Sequence, residues 1–144
     1  MRSFHFTNIL WHTFSNNFAP TVATFRTQIN NPISCLHDIN HEDVLPPLTA
    51  YYVMRIGKLP LIPYFAPGDM KLADAVREMA SDHHAVLLAN HGPVVAGKSL
   101  TDAVYATEEL EETAKLFLAL QGMKTRPLTD EQVADLKKRF PVQC

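Results

Sequence analysis

The first 33 residues of this chain contain no aspartate, no glutamate, no lysine and no glycine. All 15 acidic residues lie at or after Asp38. The same opening segment holds five of the eight phenylalanines and the only tryptophan, Trp11. No helical or strand periodicity runs through it. Its only basic residues, Arg2 and Arg26, are too few for the Arg-rich pattern of an organelle transit peptide, and no compact apolar core follows a basic start as in a secretory signal.

Cysteine is scarce as well. Cys35 and Cys144 do not make a disulfide framework, so a reducing, cytoplasmic setting is expected. Cys35, between Ser34 and Leu36, reads as a small buried hydrophobe rather than a nucleophile. No apolar run approaches the roughly 18 residues of a membrane-spanning helix. With a net charge of −2, the composition points neither to nucleic acid nor to an anionic membrane surface. There is no internal repeat and no low-complexity tract. What remains is 144 residues, 47% of them hydrophobic, enough for one domain with a sizeable core.

From Asp38 onward the chain has readable punctuation. Pro46 and Pro47 precede a short helix over Leu48 to Ile56, with Leu48, Tyr51, Tyr52 and Arg55 on one face and Gly57 as its stop. Leu59 to Phe65 reads as a strand, made irregular or confined to an edge by Pro60 and Pro63. Asp69 is the expected N-cap of a helix to about Ser81, with Leu72, Ala73, Val76, Met79 and Ala80 as its apolar stripe. Ser99, with Asp102 three residues on, opens the longest helix, whose apolar positions are Leu100, Ala103, Val104, Leu110, Ala114, Phe117 and Leu118. Glu111 and Lys115 stand in the favourable order for a pair four residues apart. Glu108 to Glu112 is read as a solvated helix face rather than a carboxylate cluster. Thr129 with Gln132 forms a second capping box, opening a helix with Val133, Leu136 and Phe140 inward. Lys137, Lys138 and Arg139 complement its dipole. This order of helices and strands predicts an α/β domain with strands between helix layers.

The most informative stretch is Leu87 to Gly97. An apolar run, Ala85 to Ala89, stops at Asn90-His91-Gly92, and a second, Pro93 to Ala96, follows at once. This reads as strand, tight turn, strand, since Asn and Gly tolerate the positive φ of such turns. A neutral imidazole on a short stiff turn suits a metal ligand or a proton shuttle, although local chemistry alone favours an ordinary solvent-facing histidine.

Several stretches resemble the class II aldolase/adducin family. They are Pro67-Gly68-Asp69, Leu72-Ala73, Leu87 to Gly92, Gly97 to Leu100, Ala103-Val104, Glu108 to Glu111 and Ala114-Lys115. The run Asp43 to Arg55 is similar to the subgroup acting on four-carbon sugar-acid phosphates, the 3-oxo-tetronate 4-phosphate decarboxylase type. The resemblance spans Ile33 to Phe140. It implies a three-layer α/β/α sandwich of the class II aldolase type, incomplete at the N-terminus. It also implies a zinc-dependent carbon–carbon lyase with a phosphorylated sugar or sugar acid as substrate, working as a homotetramer with active sites between subunits. Fuculose or ribulose phosphate aldolase and epimerase chemistry are alternatives, as is a non-catalytic adducin-like interaction module. In the family, zinc is held by three histidines, two from a His-x-His strand and one from the Asn-His-Gly turn. The third matches His91, with Asn90 and Gly92 shaping the turn. Tyr51, Tyr52 and Arg55 are candidates for substrate contact. No catalytic residue is assigned.

The sequence departs from this pattern upstream. Counting back from Ser34-Cys35-Leu36, the His-x-His pair falls near Thr24 and Arg26, where the chain reads Thr24-Phe25-Arg26. Neither side chain supplies an imidazole. The family's acid/base glutamate would lie farther upstream still, beyond Met1 or in a segment without glutamate. His83 and His84 are expected to flank a helix–strand loop, and His37 and His41 to lie in a loop. His5 and His12 match no ligand spacing. The expected organisation is therefore an atypical segment, residues 1–32, followed by residues 33–144 as the C-terminal part of an aldolase-type domain. The first segment is read as out of frame or truncated, with a genuine divergent extension as the rival.

Overall fold

The structure, a computed structural model, describes residues 22–23 and 40–141. Cys35, Cys144, His5, His12, His37, Thr24 and Arg26, and most of the 1–32 segment, lie outside the described residues.

The elements run β1 (Val22–Ala23), α1 (Ala50–Arg55), β2 (Leu61–Ile62), α2 (Met70–Met79), β3 (Ala85–Leu88), β4 (Gly92–Ala96), α3 (Leu100–Ala119) and α4 (Asp130–Arg139). The described strands form one sheet in the order β1-β4-β3-β2. β2 and β3 are parallel, whereas β3–β4 and β4–β1 are antiparallel. Strand β1 was not legible in the sequence. Its two residues pair with the outer side of β4, Val22 opposite Ala96 and Ala23 opposite Val95.

Alternation along the strands divides the core into two faces. Ala85, Leu87 and Val95 join one cluster with Tyr52, Val53 and Ile56 of α1 and Ala106, Leu110 and Ala114 of α3. Val86, Leu88 and Val94 join Ile62 and, from α2, Leu72 and Val76 in the other. The sheet thus lies between α1 and α3 on one face and α2 on the other, the expected three-layer α/β/α arrangement. Burial from both sides explains why β3 is apolar at every position.

Helix starts follow their capping residues. Asp69 accepts from the Lys71 amide at 3.0 Å, Ser99 from Asp102 at 3.1 Å, and Thr129 from Gln132 at 3.3 Å, with the reciprocal Gln132 contact at 3.0 Å. The Asp102 carboxylate accepts from the Ser99 hydroxyl at 2.9 Å, which differs from the backbone contact of a capping box. The short helix α1 is capped by Thr49, whose hydroxyl accepts from the Tyr52 amide at 3.1 Å and donates to Glu109 at 3.3 Å, joining α1 to α3.

Several expected faces turn out differently. On α1, Tyr52 and Val53 are buried, while Tyr51 is 64% exposed and Arg55 lies beside the exposed Tyr105 ring. Tyr51 and Arg55 share a face through their spacing of four, and Tyr52 is rotated off it toward the core. Leu100, in the first turn of α3, is exposed, as are Met79 and Phe140 at helix ends, where the core no longer faces the side chain. Lys115 pairs with Glu112 at 2.6 Å rather than with Glu111. The run Glu108 to Glu112 is solvated only in part. Glu108 and Glu112 are exposed, but Glu109 accepts from Thr49 and Thr113. The Glu111 Oε1 atom is buried and has no hydrogen-bond partner among the described residues.

Asp43 fastens the segment before α1 to the sheet. Its Oδ1 accepts from the Leu59 amide at 3.1 Å and from the Tyr52 hydroxyl at 3.5 Å. Burial raises the Asp43 carboxyl above its ordinary value of 3.8, against the opposing pull of those hydrogen bonds and of Lys58. The folded chain therefore holds this proton more tightly than the unfolded chain. The contribution is fully present below 3.8 and is lost as pH rises through the raised folded value. Asp43→Asn keeps an acceptor without the charge, so it is expected to stabilise the chain at pH 8, the gain disappearing toward pH 3. Urea midpoints at both pH values check this, and a variant less stable than the parent at pH 8 refutes it.

Candidate functional site

The sheet register decides where the candidate site forms. Leu61 pairs with Leu87 and Ile62 with Leu88 in the parallel β2–β3 ladder. The ladder continues to Ala89, whose amide donates to the Ile62 carbonyl at 3.0 Å. Because the two strands are parallel, their carboxyl ends open on the same side of the sheet. That is where ligands bind in open α/β sheets.

From β3 the chain turns at once. Leu88 pairs with Gly92 across the hairpin, leaving Ala89, Asn90 and His91 as its loop. The His91 amide donates back to the Leu88 carbonyl at 3.1 Å. Asn90 takes φ +57° and Gly92 φ +136°. Asparagine is among the few residues with a side chain that tolerate the left-handed region, and glycine is the one that enters φ +136° without strain. The Asn-His-Gly order is thus a conformational requirement of this turn, with the histidine between its two special positions.

His91 is half-buried. Its Nδ1 lies 3.3 Å from the Ala89 carbonyl oxygen. In a neutral imidazole this contact needs a proton on Nδ1, which leaves the lone pair on Nε2, the usual arrangement of a histidine prepared as a ligand or base. The Tyr64 ring, from the segment after β2, stacks on the imidazole with centroids 6.0 Å apart and planes 28° from parallel. Tyr64 was not singled out in the sequence; the signal was its place two residues beyond a strand parallel to the one that leads to His91.

The other candidates are scattered. Tyr52 is fully buried in the first core cluster, and burial together with Asp43 pushes its phenol up. Tyr51 and Arg55 are exposed on α1, where the Arg55 guanidinium lies 5.9 Å from the Tyr105 ring centre. His83 and His84 do lie between α2 and β3, with the His83 ring against the Met79 carbonyl at 3.2 Å. His41 lies in a non-helical segment, its carbonyl accepting from Leu61 at 2.9 Å.

A zinc centre is testable on this geometry. Three protein donors around one open position are the minimum for a catalytic site. Among the described residues, no three His, Cys, Asp or Glu side chains gather as a metal-binding group. The described residues therefore offer His91 but do not by themselves fit the metal. No helix among them is long and apolar enough to cross a membrane.

The comparisons agree with this fold. Residues 12–118 match the family model described as the class II aldolase and adducin N-terminal domain. That match begins inside the opening segment whose patterning gave no element. The chain is 52% identical over 107 residues to the 3-oxo-tetronate 4-phosphate decarboxylase of Haemophilus influenzae, covering 74% of this chain and 51% of that protein. It is 49% identical over 123 residues to the enzyme of that name from Escherichia coli K12, covering 85% of this chain and 58% of the relative. It therefore spans between half and three-fifths of these relatives' lengths. The crystal structure of YgbL from Escherichia coli superposes with a TM-score of 0.82 at 42% identity, over 90% of this chain and 64% of that one. An L-fuculose 1-phosphate aldolase shares the fold with a TM-score of 0.67 at 24% identity, over 95% of this chain and 62% of that one. The chain belongs to the class II aldolase and adducin family.

Proposed function

We propose that this chain is the His91-bearing part of a sugar-phosphate lyase, which in its whole form decarboxylates a four-carbon 3-oxo sugar-acid phosphate. The observation that carries the reading is near-50% identity to decarboxylases of that substrate. The Asn90-His91-Gly92 turn, formed at the carboxyl end of the sheet, supports it. In this reading His91 is a zinc ligand through Nε2, Asn90 and Gly92 hold its turn, and Tyr51 and Arg55 offer side chains to substrate. Tyr52 serves the core. The cytoplasm, a phosphorylated sugar-acid substrate and homo-oligomeric assembly belong to the same proposal. Nucleic acid and membranes have no part in it.

Residues 1–144 alone are proposed to be catalytically silent, because the family's His-x-His pair, counted back from Ser34-Cys35-Leu36, falls near Thr24 and Arg26, which carry no imidazole. That same observation favours a second reading, a non-catalytic adducin-like interaction module. The two part on the behaviour of the purified chain. The lyase reading expects poor solubility or irregular association and zinc well below one ion per chain. The module reading expects a discrete, well-folded oligomer without zinc. Sedimentation separates them, since both expect little or no zinc in this chain. One zinc per chain, with release of carbon dioxide from a 3-oxo-tetronate 4-phosphate, would overturn the claim that the chain is silent.

A further inference from the structure

We propose that Tyr64 is a positioning residue for His91, its ring fixing the plane of the imidazole on the turn. The inference rests on the reading of His91 as the chain's functional histidine.

Packing into the core does not explain where Tyr64 sits. Tyr64 is 59% exposed, in contrast to the fully buried Tyr52. What it does meet is the His91 ring, at 6.0 Å between centroids and 28° between planes, within the range of offset aromatic stacking. The sheet makes this meeting a consequence of register. Ile62 and Ala89 are joined by a backbone hydrogen bond of 3.0 Å. Tyr64 lies two residues beyond Ile62, and His91 two residues beyond Ala89. Both therefore lie two residues beyond the same rung of the ladder, and the 6.0 Å ring contact shows that they meet there. Pro63, between Ile62 and Tyr64, locks its own φ and limits how far the connecting segment can swing.

Two of the contacts on His91 are complementary. Stacking on Tyr64 sets the plane of the ring but does not choose between its two edges. The 3.3 Å contact of Nδ1 with the Ala89 carbonyl makes that choice and selects the tautomer with its lone pair on Nε2. Together they restrict both side-chain torsions and hence the direction in which Nε2 points. A group held in this way loses less rotamer freedom on binding than a mobile one.

The test is nuclear magnetic resonance of the chain carrying labelled histidine, at about pH 8, above the ordinary histidine range. The parent is expected to show cross-relaxation between the Tyr64 and His91 rings, upfield-shifted His91 ring protons and a dominant Nδ1-protonated tautomer. Tyr64→Phe keeps the ring face and is expected to retain the shift and the tautomer. Tyr64→Leu is expected to lose the ring-current shift and to move the tautomer signal toward that of free imidazole, with backbone amides remote from the two loops unchanged. The proposal is overturned if Tyr64→Leu leaves the His91 tautomer signal as in the parent, if Tyr64→Phe loses it as fully as Tyr64→Leu, or if the parent shows no cross-relaxation between the rings. Whether His91 ligates metal is read by zinc uptake, so that reading and this one fail independently.

Discussion

Tyr52→Ala is expected to destabilise the chain by about 3–5 kcal/mol, the range for truncating a large buried aromatic. Tyr52 is 0% exposed and lies in the cluster that joins α1, β3, β4 and α3. Removing the ring opens a cavity between the sheet and two helices, and the surrounding Leu45, Val53, Ile56 and Leu110 are themselves fully buried and poorly placed to collapse into it. The phenol hydroxyl contributes far less, since its contact with Asp43 is long, at 3.5 Å. Tyr52→Phe is therefore expected to remain within about 1 kcal/mol of the parent, the usual net worth of one hydrogen bond. Urea unfolding of both variants decides the role. A Tyr52→Ala chain as stable as the parent would remove Tyr52 from the core and reopen its candidacy for substrate contact.

Gly97→Ala is the second large effect, and it acts through backbone rather than volume in the core. A Cβ at this position would stand 2.6 Å from the Ala103 amide nitrogen, 3.0 Å from the Ala103 Cα and 3.1 Å from the Asp102 carbonyl carbon. All three atoms belong to the first turn of α3, so no side chain can swing away to make room. The end of β4 and the start of α3 would have to separate, at a cost of about 1–3 kcal/mol, as for other overpacked sites. Gly97 follows β4 directly, so the strain also falls on the strand that closes the His91 turn. A thermal or urea midpoint equal to the parent's would show that the loop relaxes freely and that the close approach is not required.

Much of this architecture was legible because its signals are local. Asp69, Ser99 and Thr129 each announce a helix start through a side-chain oxygen that the first turn needs, and each caps as its spacing implies. The hairpin at His91 was legible for the same reason, since Asn90 and Gly92 occupy the two positive-φ positions that the turn demands. What escaped depends on contacts between segments distant in sequence. β1 is two residues long and exists through its pairing with β4, more than 70 residues on. The face of α1 that is buried was set by where the sheet and α3 lie, and five residues of apolar and aromatic character carry too little periodicity to reveal it. Glu109 and Glu111 look like solvent residues by type. The Thr49 and Thr113 hydroxyls draw the first inward, and the Oε1 of the second is buried with no hydrogen-bond partner among the described residues. Tyr64 escaped because its partner is 27 residues away and the register that aligns them is a property of the parallel ladder.

The central proposal is that His91 is a zinc-ligand position, with Thr24 and Arg26 near the places of its two missing companions. The most direct measurement is zinc content per chain for the parent, for Thr24→His with Arg26→His, and for that double variant carrying His91→Ala. The account predicts zinc well below one ion per chain in the parent, an approach to one in the double variant, and its loss when His91 is removed. A parent that already holds one zinc, or a double variant whose zinc survives His91→Ala, would contradict it.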